Sequence, residues 1–198
     1  MKLATILTLL TVSLFSLSCI STSVRGRWVE GQESVRFTGL LVYMEAEEVV
    51  REQVEGDLAR VLARQGVPAE TSIVFMKEPR AYSPAEISES MVAGGLDGFL
   101  RVRLEDFHTE GREVYHTGGV LAGAGFLVAR RPWVSFHEQT RLSLRLDLLR
   151  RPGGPLVWTA RGRARSPGRP SLRRLVKELG STLAARIRRS LLIDAEVD

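Results

Sequence analysis

Three stretches of this chain alternate strictly between apolar and polar residues, and each puts arginine on its polar side. Leu100, Val102 and Leu104 interleave with Arg101, Arg103 and Glu105. Leu142, Leu144, Leu146 and Leu148 interleave with Arg141, Ser143, Arg145 and Asp147. Trp158 and Ala160 oppose Thr159, Arg161 and Arg163. Successive side chains of a strand point to opposite faces, so a period of two reads as a strand with one buried and one wet face. Sheets built from such strands carry their helices on one side. That constraint fixes the class of fold before any motif is considered.

The remaining segments supply the other layer. Residues 35–43 read as a strand, and a helix follows from about Glu45. In it Val50, Val54, Leu58, Val61 and Leu62 repeat at three and four, and Gly66 caps its end. The acidic residues of this helix are spaced as a solvated face. Residues 67–76 read as a second strand. Ser83-Pro84-Ala85-Glu86 is a helix start with a capping box, and Gly94-Gly95 stops that helix. The turn at 151–155 joins two alternating strands into a hairpin. Ser171 opens a last helix with the stripe Leu172, Val176, Leu179, Leu183 and Ile187, interrupted by Gly180. The order β-α-β-α-β-β-β-α predicts a two-layer α/β sandwich, with a mixed sheet of about five strands and three helices mainly on one face. Arg101, Arg103, Arg141, Arg145, Arg161 and Arg163 then project from the open face, as candidates for binding an anion or an acidic partner.

The first 18 residues read as a secretory leader: Lys2 is the charged start and residues 3–17 the apolar stretch. Cys19, the single cysteine of the chain, follows Ser16-Leu17-Ser18. This pattern reads as a bacterial lipoprotein signal, in which the thiol takes a diacylglyceryl group and becomes the new amino terminus. More than one acyl chain suffices for stable anchoring without a transmembrane helix. Ser16 and Ser18 also fit ordinary signal cleavage, and the uncharged stretch runs on to Val24 as in a signal anchor. Residues 19–34 are expected to be the lipidated Cys19 and a flexible tether, 35–192 a single domain, and 193–198 a tail. One cysteine permits no internal disulfide.

The 198 residues carry a formal net charge of +5, unevenly placed. Residues 20–100 hold 8 basic and 13 acidic side chains, whereas 101–198 hold 19 and 10. Such asymmetry permits an acidic partner. Nucleic acid is excluded by secretion and by the lack of aromatic residues among the arginines. Within the Gly-rich insertion 108–138, residues 114–129 carry no charge. They read either as a loop entering a bilayer or joining a neighbouring protomer, or as a hairpin lying over the domain. Its glycines match neither a P-loop nor a dinucleotide fingerprint, so no cofactor is expected. His108, His116 and His137 flank it at spacings that match no metal-ligand pattern, so no metal is expected either. No Gly-x-Ser-x-Gly or His-Glu-x-x-His occurs, and the expectation is a protein without catalysis.

Three stretches carry a resemblance: Arg64-Gln65-Gly66-Val67-Pro68-Ala69, Ala93-Gly94-Gly95-Leu96-Asp97-Gly98-Phe99-Leu100, and Pro155-Leu156-Val157-Trp158-Thr159-Ala160. Over residues 35–191 the chain resembles a family of bacterial envelope lipoproteins of unassigned function, with a layout similar to the TolB amino-terminal domain. The resemblance implies an accessory or docking role toward an envelope protein partner, with attachment to the membrane through Cys19. It carries over no site residue. Ile20, standing where an Asp would hold a lipoprotein at the inner membrane, is similar to the outer-membrane-sorted group, which implies the periplasmic face of that membrane.

Overall fold

The computed structural model describes residues 20–75, 82–116, 120–123, 126–129 and 133–190. Cys19, the leader and the expected tail lie outside the described residues. A six-stranded sheet forms the frame, built from β1 (Ser21–Trp28), β2 (Leu40–Glu45), β3 (Ala69–Thr71), β4 (Gly98–His116), β7 (Trp133–Leu149) and β8 (Leu156–Pro167). Its order is β1-β8-β7-β4-β2-β3. β2 is parallel to β3 and β4, and the other pairings are antiparallel. β5 (Val120–Gly123) and β6 (Phe126–Ala129) pair only with each other.

The expected layering is present. Helices α1 (Glu48–Arg64) and α4 (Leu172–Arg189) cover one face of the sheet. Leu40, Val42, Met44, Leu100, Val102 and the four alternating leucines of β7 meet Val54, Leu58, Leu62, Leu175, Leu179 and Leu183 there. Each large side chain buried in this way stabilises by ~1.5–3 kcal/mol. Gly180 lies where the helices cross: a Cβ there would stand 3.2 Å from the side chains of Leu58 and Val61. Its cost in helix propensity is therefore the condition for close packing of α1 on α4.

Four details differ from expectation. The segment 19–34, read as a tether, contains β1, an eight-residue strand paired to β8 from Ser21↔Arg165 to Trp28↔Trp158. Residues 67–76 yield only three strand residues before the short helix α2 (Ser72–Phe75). The strand expected over 35–43 begins later, at Leu40. Finally, α3 (Pro84–Ala93) starts with the expected Ser83–Glu86 capping box but packs on the other face. Ile87 and Met91 form a second core there with Leu41, Phe99 and Leu149. Leu41 is apolar on a strand position that the alternation would make polar, and this covering helix is the reason. The open face is thus narrower than the period of two implied.

Helix α1 also departs from a solvated acidic face. Glu55 is fully buried and accepts hydrogen bonds from the Met44 and Ser72 amides and the Ser72 hydroxyl, at 2.7, 3.1 and 2.7 Å. Burial pushes its carboxyl above the usual range, against those hydrogen bonds. Asp57, 3% exposed, meets Arg60 at 3.0 Å, and Arg173 of α4 at 3.2 Å. Each acid fastens α1 to a neighbouring element.

Candidate functional site: the arginine face

The sheet register places Arg101, Arg103, Arg141, Arg145, Arg161 and Arg163 on one face, opposite α1 and α4. β1 adds Arg25 and Arg27 to it, and β8 adds Arg165. Arg25, Arg161, Arg145 and Arg103 stand directly opposite one another along a row across four strands. With strands ~4.8 Å apart, the row is about 14 Å long. Like charges opposed in this way repel, so the surrounding residues must compensate.

Asp147 does so at one end. It is 1% exposed and paired with Arg101 at 3.2 Å, Arg145 at 3.3 Å and Arg103, while the Thr159 hydroxyl donates to it at 2.8 Å. Desolvation alone would raise its pKa. The Thr159 hydrogen bond and the three guanidinium groups outweigh that and hold the carboxyl below the usual range. Glu45 stands within 3.8 Å of both Arg101 and Arg103.

A bulge in β4 between Leu104 and Asp106 supplies the second acid. The extra residue lets Glu105 and Asp106 both serve the polar face and returns Phe107 to the leucine side, where strict alternation would have put it outward. Glu105 takes Arg161 at 2.8 Å and the Ser143 hydroxyl at 3.0 Å. The Arg161 hydrogen bond lowers its pKa. Glu110 pairs with Arg141 at 3.0 Å.

Of the six candidates, five are therefore tied to acids. Arg163 is the exception: among the described residues it has no acid partner, and neither have Arg25, Arg27 and Arg165. These four are exposed and border two shallow grooves. One, of about 440 Å³, is lined by Arg25, Arg27, Arg145 and Arg161. The other, of about 630 Å³, is lined by Arg141, Arg161, Arg163 and Arg165 beside Glu105 and Asp106. The positive field is displaced from the centre of the sheet to its β1/β8 edge. Arg25 and Arg27 escaped sequence reasoning because Ser and Thr around them suggested a tether. The signal was nonetheless there, in the alternation of Thr22, Val24 and Trp28 with Ser23, Arg25 and Arg27.

His108 and His137 do not converge. His108 lies between Asp106 at 2.7 Å and Glu110 at 2.8 Å. Hydrogen bonding to Glu110, then to Asp106, raises its pKa. His137 faces Arg112 in the register, four residues further along β4, or about 13 Å. Among the described residues no group of three His, Cys, Asp or Glu could hold a metal ion. No described helix is long and apolar enough to cross a membrane.

No family model matches the chain, and no curated protein matches it. Solved structures do. The PelC dodecamer from Paraburkholderia phytofirmans is 16% identical over 88% of this chain and 99% of that one, with a TM-score of 0.46. Lipoprotein GNA1162 from Neisseria meningitidis is 17% identical, covers 77% and 99%, and has a TM-score of 0.39. A minor lipoprotein from Acinetobacter baumannii is 12% identical, covers 82% and 99%, and has a TM-score of 0.36. Bacterial lipoproteins thus stand among the structural neighbours, while the family suggested by the sequence motifs is not shown.

Proposed function

We propose that this protein is a lipid-anchored, non-catalytic component of the bacterial cell envelope, acting as a docking module for an acidic protein. The leader ending at Cys19 supports the anchor, and Ile20 supports the periplasmic face of the outer membrane. One observation carries the docking role: Arg25, Arg27, Arg163 and Arg165 form an exposed stripe without acid partners among the described residues, beside arginines paired with Asp147 and Glu105. A protein is favoured over an anionic lipid or polymer because the face is patterned in both signs. Interleaved charges select a complementary arrangement, whereas a uniform polyanion matches a surface of one sign.

The test uses the full chain in its native envelope. Wild type should incorporate labelled fatty acid and Cys19→Ala should not; absence of label from both defeats the anchor. A photo-crosslinking residue at Arg163 should trap a discrete protein species. Crosslinks confined to lipid or glycan would replace this reading with that of a binding protein for anionic envelope material.

A further inference from the structure

β4 and β7 are much longer than their neighbours, and the direction in which they exceed them is informative. The last β7–β8 pair is Gln139↔Pro167, yet β4 and β7 remain paired from Gly111↔Glu138 to His116↔Trp133. Six residue pairs therefore leave the sheet as a two-stranded ribbon, about 20 Å long at ~3.3 Å per residue. Three residues beyond β4 the chain enters β5, so the β5/β6 hairpin sits at the far end of this ribbon.

β1 leaves the sheet at the same end. Its first residue, Ser21, pairs with Arg165, which pairs with Arg141, which pairs with His108. Passing along β1 from Trp28 back to Ser21 is thus the same direction as passing from His108 out along the ribbon. One residue, Ile20, separates Ser21 from Cys19, a reach of about 7 Å at most. β1 occupies residues 21–28 of the segment read as a tether. The opposite end of the sheet carries the turn at 150–155.

We propose that the β5/β6 hairpin inserts into the same bilayer leaflet that receives the acyl chains of Cys19, making a second, protein-built membrane contact. The inference rests on the lipidation reading above. Four features of the chain bear on a bilayer as the occupant. Residues 114–129 are uncharged, so strands β5 and β6 bring no ion into hydrocarbon. Each leg is four residues, about 13 Å, close to half of a ~30 Å hydrocarbon core, so the hairpin is long enough to enter one leaflet and too short to cross two. The pairing of β5 with β6 satisfies the backbone groups between the two legs, and their open outer edges require the hydrated headgroup layer, so the insertion is shallow. Arg130, Arg131 and Trp133 follow β6, residue types that favour phosphate and headgroup level. An inclined sheet lets the ribbon and Cys19 reach one membrane surface together.

The experiment uses the full lipidated chain in vesicles of phosphatidylethanolamine and phosphatidylglycerol. Acylation blocks the Cys19 sulfur, so Ala122→Cys offers a single labelling position in β5, and Arg150→Cys a control at the far end. An environment-sensitive fluorophore at 122 should shift to the blue and lose emission to brominated acyl chains, while the label at 150 should answer to aqueous iodide. Adding Leu127→Asp should reverse the shift at 122 with flotation unchanged. A label at 122 that iodide quenches as fully as the one at 150, in protein that floats with the vesicles, overturns the proposal and leaves the anchor standing. Protein that fails to float and whose Cys19 reacts with the fluorophore removes the anchor, and the proposal with it.

Discussion

Asp147 is the residue on which the arginine face depends. It is shared by three guanidinium groups from a buried position, so removing its charge leaves Arg101 and Arg103 with Glu45 alone and takes from Arg145 its paired acid. Asp147→Asn should destabilise the fold by about 2 kcal/mol, read by denaturant unfolding. The same variant should bind an acidic partner more tightly, because the face loses one negative charge that three arginines share. The sign of the pH effect follows from the depressed pKa. Its contribution is complete above the unfolded aspartate value of about 3.9 and is lost as pH falls through the folded value. Wild type should therefore lose stability below about pH 4 more steeply than Asp147→Asn. Glu55 acts in the opposite sense. Its raised pKa means that the folded state holds the proton more tightly, so that group alone favours folding as pH falls toward its unfolded value. Parallel acid limbs in the two proteins would show that Asp147 does not govern this region.

At the scale of elements, β1 decides how the stripe is assembled. Gly26 lies against the Trp158 indole, and a Cβ at Gly26 would run into that ring, which is itself 1% exposed in the core. Gly26→Val should cost about 1–3 kcal/mol by overpacking and should detach the strand. Limited proteolysis should then cut within residues 21–28 while the remaining sheet stays protected; unchanged protection would mean that β1 tolerates the side chain. Detachment would also carry Arg25 and Arg27 away from Arg161. Several elements were legible in advance for sound reasons. The capping box at Ser83 and the amphipathic α4 are local patterns, written within four residues. The alternating leucines of β7 are local too. What escaped were features that need a distant partner: β1 becomes a strand only because β8, with partners 130 to 144 residues away, offers it an edge. The burial of Glu55 likewise depends on the Met44 and Ser72 amides, which no helical spacing within α1 can announce.

Across the whole molecule, charge is sorted by place more than by amount. The net of +5 says little, since five of the six arginines singled out from alternation have acid partners. The field proposed for docking is the remainder, at the β1/β8 edge. Replacing Arg25, Arg163 and Arg165 together by serine touches no described ion pair, so stability should change by less than about 1 kcal/mol. Binding to an acidic envelope partner should fall, and what remains should lose its dependence on ionic strength across the range where the Debye length drops from ~10 to ~3 Å. Retention of a steep salt dependence in this variant would place the docking surface elsewhere.

The sequence by itself determined the two-layer α/β class, the arginine-bearing face and the uncharged segment, because each is a periodicity or a composition that a local stretch carries whole. Tertiary structure alone decided which arginines lack an acid partner among the described residues, that residues 21–28 are an edge strand, and that the β4/β7 ribbon leaves the sheet at the end where β1 begins. Those outcomes depend on strand order and register. Both are set by which distant surfaces bury one another, and no window of neighbouring residues contains that information.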